Sequence, residues 1–128
     1  MSLSSPLRQV LGMGPARSGV QHWWRQRLTS LALVPLSIWF AVSLIALPGF
    51  DHLTVISWMG QSWTALLLML FVLLCAWHSQ LGLRVIIEDY VHREGAKTLL
   101  LVLSSFAHVL AAAAGVFAVF KVACGAVP

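Results

Sequence analysis

His78 stands inside an apolar stretch, Trp63–Ile87, and Gly82 follows four residues on, along the same helical face. An ionisable side chain there is costly to bury in lipid, which makes it a functional candidate by default. Neutral imidazole is a common axial ligand of haem iron. A flat macrocycle held by His78 needs the neighbouring turn to lack a side chain, and glycine meets that need. The competing reading is a histidine hydrogen-bonded between helices, with Gly82 as a packing contact. His108 lies ten residues into a later apolar stretch that begins at Thr98, at a depth of ~15 Å for a rise of 1.5 Å per residue. His78, nine residues before Ile87, is ~14 Å from its own helix end by the same rise. The two histidines are level, so an intrachain bis-histidine haem site is one reading of His108, and a satisfied core histidine is the other.

A second cluster, Glu88-Asp89-Tyr90-Val91-His92-Arg93-Glu94, follows His78. Most charge runs are solvated loops. Yet eleven residues are almost three helical turns, so a continuous helix projects Asp89 from the face of His78, ~16 Å further along. A quinone needs an apolar slot, hydrogen-bond donors at its carbonyls and a proton source on reduction. The Tyr90 phenol and the Asp89 carboxyl near an interface meet those needs. Haem propionates would point toward one membrane surface, where an arginine fork pairs well with a carboxylate. Arg25, Arg27 and Arg84 are the candidates, beside their ordinary duty as topological anchors.

Three elements must position these residues. The chain has 128 residues, 59% of them apolar and 9% charged, with a mean hydropathy of +0.88. A typical soluble domain is about 25% charged. Four acids and eight bases cannot cover so small a fold in water, which excludes a soluble monomer and a disordered tail. The reading is an all-α integral membrane protein with three transmembrane helices, 28–47, 63–87 and 98–122, since each crossing needs ~20 apolar residues. The remaining segments are an N-terminal stretch 1–27, loops 48–62 and 88–97, and a tail 123–128. The first apolar run exceeds the ~7–15 residues of a signal-peptide core, and no small-x-small site follows it, so cleavage is not expected.

Lys and Arg near the span ends set the orientation. Arg8, Arg17, Arg25 and Arg27 precede the first span, Arg84, Arg93 and Lys97 flank the second loop, and Lys121 stands alone at the far end. The N-terminus and second loop are therefore expected in the cytoplasm and the C-terminus opposite. Trp23 and Trp24 sit at one interface and Trp58 and Trp63 at the other. Pro35 removes one helical hydrogen bond from the first span. Ala111, Gly115 and Ala118 leave one face of the third nearly smooth for a neighbouring helix. No basic run suggests nucleic acid, and Cys75 and Cys124 are too few for a disulfide framework or a thiolate metal site.

His78-Ser79-Gln80-Leu81-Gly82 followed by Glu88-Asp89-Tyr90-Val91, after an opening His22-Trp23-Trp24-Arg25-Gln26-Arg27-Leu28-Thr29, resembles the hydrophobic membrane anchor of succinate dehydrogenase, respiratory complex II. The resemblance runs from about His22 to the end of the third span. The companion anchor of that complex, which is cytochrome b556-like, also carries a His-x-x-x-Gly element, and the Asp-Tyr pair favours the hydrophobic anchor over it. The resemblance implies that His78 ligates haem b iron, with the second ligand from the cytochrome b556-like companion. It also implies that Tyr90 binds ubiquinone beside the iron–sulfur subunit, with Asp89 as its acidic neighbour. Arg27 is the nearest match to a propionate contact, with Arg25 next to it. The implied assembly includes a flavoprotein subunit and sits in the bacterial cytoplasmic (inner) membrane, linking the tricarboxylic acid cycle to electron transport. Family members differ in haem count, which keeps the role of His108 open, and His22, His52 and His92 take no family role. The chain has no flavin motif and no cysteine cluster, so it is not expected to oxidise succinate alone. Two rivals stand beside this reading: a self-contained cytochrome b using His78 and His108, and a haem-free structural membrane protein.

Overall fold

The computed structural model describes residues 16–125, with side chains described from Gly19. Arg8, the Arg17 side chain and the end of the 123–128 tail lie outside the described residues. All regular structure among the described residues is helical: α1 (Ala16–Ile45), α2 (His52–Met59), α3 (Ser62–Tyr90) and α4 (Glu94–Ala123). Three of these are long and apolar enough to cross a membrane, over Gly19–Ile45, Ser62–Tyr90 and Glu94–Ala123. They contain the three expected spans nearly whole and outrun them at their Arg25 and Tyr90 ends. A helix satisfies its own backbone, so it can continue past the apolar stretch without further packing. Arg25 and Arg27 consequently lie well inside α1 rather than at its start.

Loop 48–62 is not wholly irregular, because α2 occupies most of it. Asp51 caps α2: its Oδ2 accepts from the Thr54 amide at 3.1 Å, and its Oδ1 accepts from the Thr54 hydroxyl at 2.7 Å. Those two bonds, the hydroxyl foremost, hold the exposed Asp51 carboxyl below its ordinary value of 3.8. Trp58 and Met59 of α2 pack toward the bundle, whereas Leu53 is exposed. Trp58 stacks on Trp39 of α1 at 6.4 Å between ring centroids, and Phe40 stacks on Phe71 of α3 at 5.1 Å. This aromatic group ties α1, α2 and α3 together beside a small buried cluster of Ala65, Leu68 and Val119.

α3 is the central helix. It packs along α4 and along α1, whereas the backbones of α1 and α4 do not come close among the described residues. The α3–α4 contact is close because Gly115 faces Val72, where an added Cβ would stand 2.7 Å from Val72 Cγ1. Two backbones can approach so far only where one side chain is missing. On the opposite flank, α1 runs through Pro35 without interruption and presents Leu31, Val34, Ile38, Val42 and Ile45 as an exposed apolar stripe at helical spacing.

The tight α3–α4 crossing gives the first test. Gly115→Leu forces Val72 and its helix outward and is expected to destabilise the helix pair by about 1–3 kcal/mol, read as a lower thermal midpoint in mild detergent. An unchanged midpoint would remove Gly115 as the point of closest approach.

Candidate functional site

Three consecutive polar residues, His78, Ser79 and Gln80, interrupt the apolar face of α3. Successive side chains on a helix point 100° apart, so three in a row reach more than one neighbour. His78 turns to α1. Its Nδ1 lies 2.9 Å from Thr29 Oγ1 and its Nε2 lies 3.3 Å from Gln26 Nε2. Ser79 and Gln80 turn to α4, where Ser79 Oγ meets His108 Nε2 at 3.2 Å and Gln80 Nε2 donates to Ser105 Oγ at 3.3 Å. The result is a polar belt across the middle of the bundle.

Thr29 is the most enclosed member of that belt, with 3% of its surface exposed. Its hydroxyl reaches the Arg25 carbonyl at 2.9 Å and the Gln26 carbonyl at 3.0 Å, the back-bonding expected of threonine in a helix. Ser30 donates to the Gln26 carbonyl at 2.8 Å. Two buried polar atoms on α1, Gln26 Oε1 and His22 Nε2, have no hydrogen-bond partner, and Gln26 is in contact with His78. Gly82 faces this same part of α1. A Cβ at Gly82 would meet only Gln26 Nε2, at 3.8 Å, which is ordinary contact. Packing within the chain therefore does not require glycine there.

His108 is engaged separately. Its Nδ1 donates to the Ser104 carbonyl at 2.7 Å, which leaves Nε2 to accept from Ser79. A cavity of about 650 Å³ opens beside it between α3 and α4, lined by Leu73, Trp77, Gln80, Ser105, His108 and Val109 among others. His78 and His108 are level, as the residue count requires, but they address different helices. The structure does not bring their rings to one site, which gives no geometric support to a haem held between them. No cluster of three or more His, Cys, Asp or Glu side chains forms a metal site among the described residues.

α3 continues to Tyr90, so Asp89 does lie on the helical face of His78. Tyr90 is the last residue of α3 and is 78% exposed, and Asp89 is exposed beside it. His92 Nδ1 donates to the Tyr90 carbonyl at 3.0 Å and closes the short connection to α4. The three arginines separate. Arg84 Nε binds its own helix's Glu88 at 2.8 Å, whereas the Arg27 guanidinium lies over the Trp23 ring at 5.1 Å and Arg25 is exposed. Gln26, Thr29 and the Ser79 contact to His108 were not singled out by sequence reasoning. The available signal was a hydroxyl or amide inside an apolar stretch, which must find a partner on another helix or on its own backbone.

Comparison with known proteins adds a family. Residues 1–119 match the family model described as succinate dehydrogenase/fumarate reductase transmembrane subunit. The succinate dehydrogenase hydrophobic membrane anchor subunit of Rickettsia bellii is 30% identical over 107 residues, covering 84% of this chain and 86% of that protein. The protein of the same description from Paracoccus denitrificans is 28% identical over 127 residues, covering 99% and 98% of the two chains. A succinate dehydrogenase membrane anchor subunit of Reclinomonas americana is 33% identical over 82 residues, 61% of this chain and 68% of its own. No solved structure matches the chain. With a family match across nearly its whole length and three helices fit to span a bilayer, this chain belongs to the succinate dehydrogenase/fumarate reductase transmembrane subunit family.

Proposed function

We propose that the chain anchors a succinate-oxidising flavoprotein and iron–sulfur pair to the bacterial inner membrane, shares a haem b with a second anchor of the cytochrome b556 type, and forms part of the ubiquinone site. The observation that carries this reading is the pairing of His78 with Gly82. His78 is part-buried at mid-helix with Nδ1 anchored and Nε2 met only by a glutamine amide at 3.3 Å. The side chain missing at Gly82 is not required by any contact inside the chain. A partner outside the chain explains both, and a flat macrocycle is the shape that needs them together.

Haem b would supply one-electron storage between the iron–sulfur subunit and the quinone. The work of this chain is positional. His78 would offer Nε2 to the iron. Arg27, or Arg25 two residues before it, would pair with the propionates, a role the exposed pairing of Arg84 with Glu88 favours for them. At the Tyr90 end the phenol O–H would donate to a carbonyl of ubiquinone. Asp89 beside it would hold a proton for the reduced ring, which takes up two electrons and two protons. The exposure of both side chains suits a slot completed by the iron–sulfur subunit and the companion anchor. The same end would face the cytoplasm, with the C-terminus on the opposite side, as the Lys and Arg distribution directs.

The decisive experiment is a reduced-minus-oxidised spectrum of the complex purified through this chain from its native membrane. A b-type haem reducible by succinate is expected, and His78→Ala is expected to abolish it; a folded preparation without haem would leave a structural role alone. Tyr90→Phe should slow ubiquinone reduction with haem content unchanged, because it deletes one donor and little volume; normal quinone turnover would remove Tyr90 from the site. Cysteines introduced at Asp89 and Asp51 should be labelled from the cytoplasmic and the opposite side respectively, and the reverse pattern would invert the topology.

A further inference from the structure

We propose that Thr29 is the positioning residue for His78, fixing its proton on Nδ1 and leaving the Nε2 lone pair for a metal. The proposal rests on the haem-ligand reading of His78 and adds the reason why one of its two nitrogens is the ligand. A threonine hydroxyl has a single hydrogen to give. In Thr29 that hydrogen has two carbonyls within reach, those of Arg25 at 2.9 Å and Gln26 at 3.0 Å. With the hydrogen directed there, the oxygen can only accept, and the 2.9 Å contact to His78 must carry its proton on Nδ1.

The second nitrogen agrees. Gln26 presents its amide nitrogen to His78 Nε2, a donor that needs a lone pair opposite it. Flipping that amide would instead place an NH₂ with two hydrogens where the unpartnered Gln26 Oε1 now lies buried, a worse loss than one unpaired acceptor. The two contacts also differ in strength. At 2.9 Å the threonine bond is short and enclosed, whereas at 3.3 Å the glutamine contact is the long one. A ligand arriving at Nε2 therefore displaces Gln26 and leaves Thr29 in place.

Thr29 thus stands to His78 as outer-shell acceptors stand to ligating histidines generally. Such a partner sets the tautomer, holds the ring plane and raises the basicity of the ligating nitrogen. The hydroxyl is itself held by the backbone of α1, so the ring orientation is referred to a rigid helix and not to a mobile side chain. Thr29 touches neither the iron nor the quinone; it acts through His78.

The tautomer can be read without any cofactor. In nitrogen-15 spectra of the full chain in lipid nanodiscs, with His78 assigned by its loss in His78→Ala, the hydrogen is expected on Nδ1 and Nε2 is expected bare. A hydrogen on Nε2 would overturn the proposal. In the assembled complex Thr29→Val, which keeps the shape and removes the acceptor, is expected to weaken haem retention roughly 10- to 100-fold and to change the ferric haem resonance, with Thr29→Ser restoring both. Haem retention and resonance unchanged in Thr29→Val would overturn it while leaving His78 as ligand. If that variant does not assemble, the tautomer of the unmodified chain still decides. A His78→Ala complex with a normal haem spectrum would remove the ligand reading itself, an outcome distinct from either of the others.

Discussion

A polar group in the interior of a bilayer has no water to turn to and must find its partner in protein. That constraint organises the whole bundle around residues 78–80 of α3. Because consecutive side chains diverge by 100°, His78 can be satisfied from α1 while Ser79 and Gln80 are satisfied from α4. α3 is central for this reason, and the register of both neighbours is set at one level. Each such bond between transmembrane helices contributes only ~0.6 kcal/mol on average, so their main effect is on which arrangement forms.

Close packing supplies the rest. The buried apolar cluster is small, and long rows of Leu, Val, Ile and Phe remain exposed on α1 and α4. In water those rows would be a liability; in lipid they cost nothing. Helices in such surroundings gain no hydrophobic drive from touching each other. The contact at Gly115 and Val72 and the aromatic stack of Trp39, Phe40, Trp58 and Phe71 therefore do what a large core does in a soluble domain.

The two mid-depth histidines stand in similar sequence settings but turn to different helices. His108 is closed inside the chain: one nitrogen goes to the Ser104 carbonyl and the other to Ser79. It clasps α4 to α3. His78 likewise has one short contact, at 2.9 Å, and one longer, at 3.3 Å, but an unexplained glycine lies a turn away. What sets them apart is the glycine at position 82, which no contact inside the chain requires.

Three helices long and apolar enough to span a membrane were legible in the sequence, because the length of an apolar run and the rise of a helix are properties of the chain alone. The placement of Asp89 on the His78 face was legible too, given a helix that continues to Tyr90. The short helix α2 was not read, although Asp51 followed by Thr54 is a capping signal, because its eight residues resemble a loop in length. Which neighbour each polar residue faces could not be read at all. Gly82 opposite Gln26 and His78 bonded to Thr29 depend on the azimuth of one helix against another, which periodicity within a single helix leaves undetermined. Sequence determined what lies at each depth; the tertiary structure decided which side chains meet, because lipid makes no distinction between the faces of an apolar helix and only packing and hydrogen bonding do.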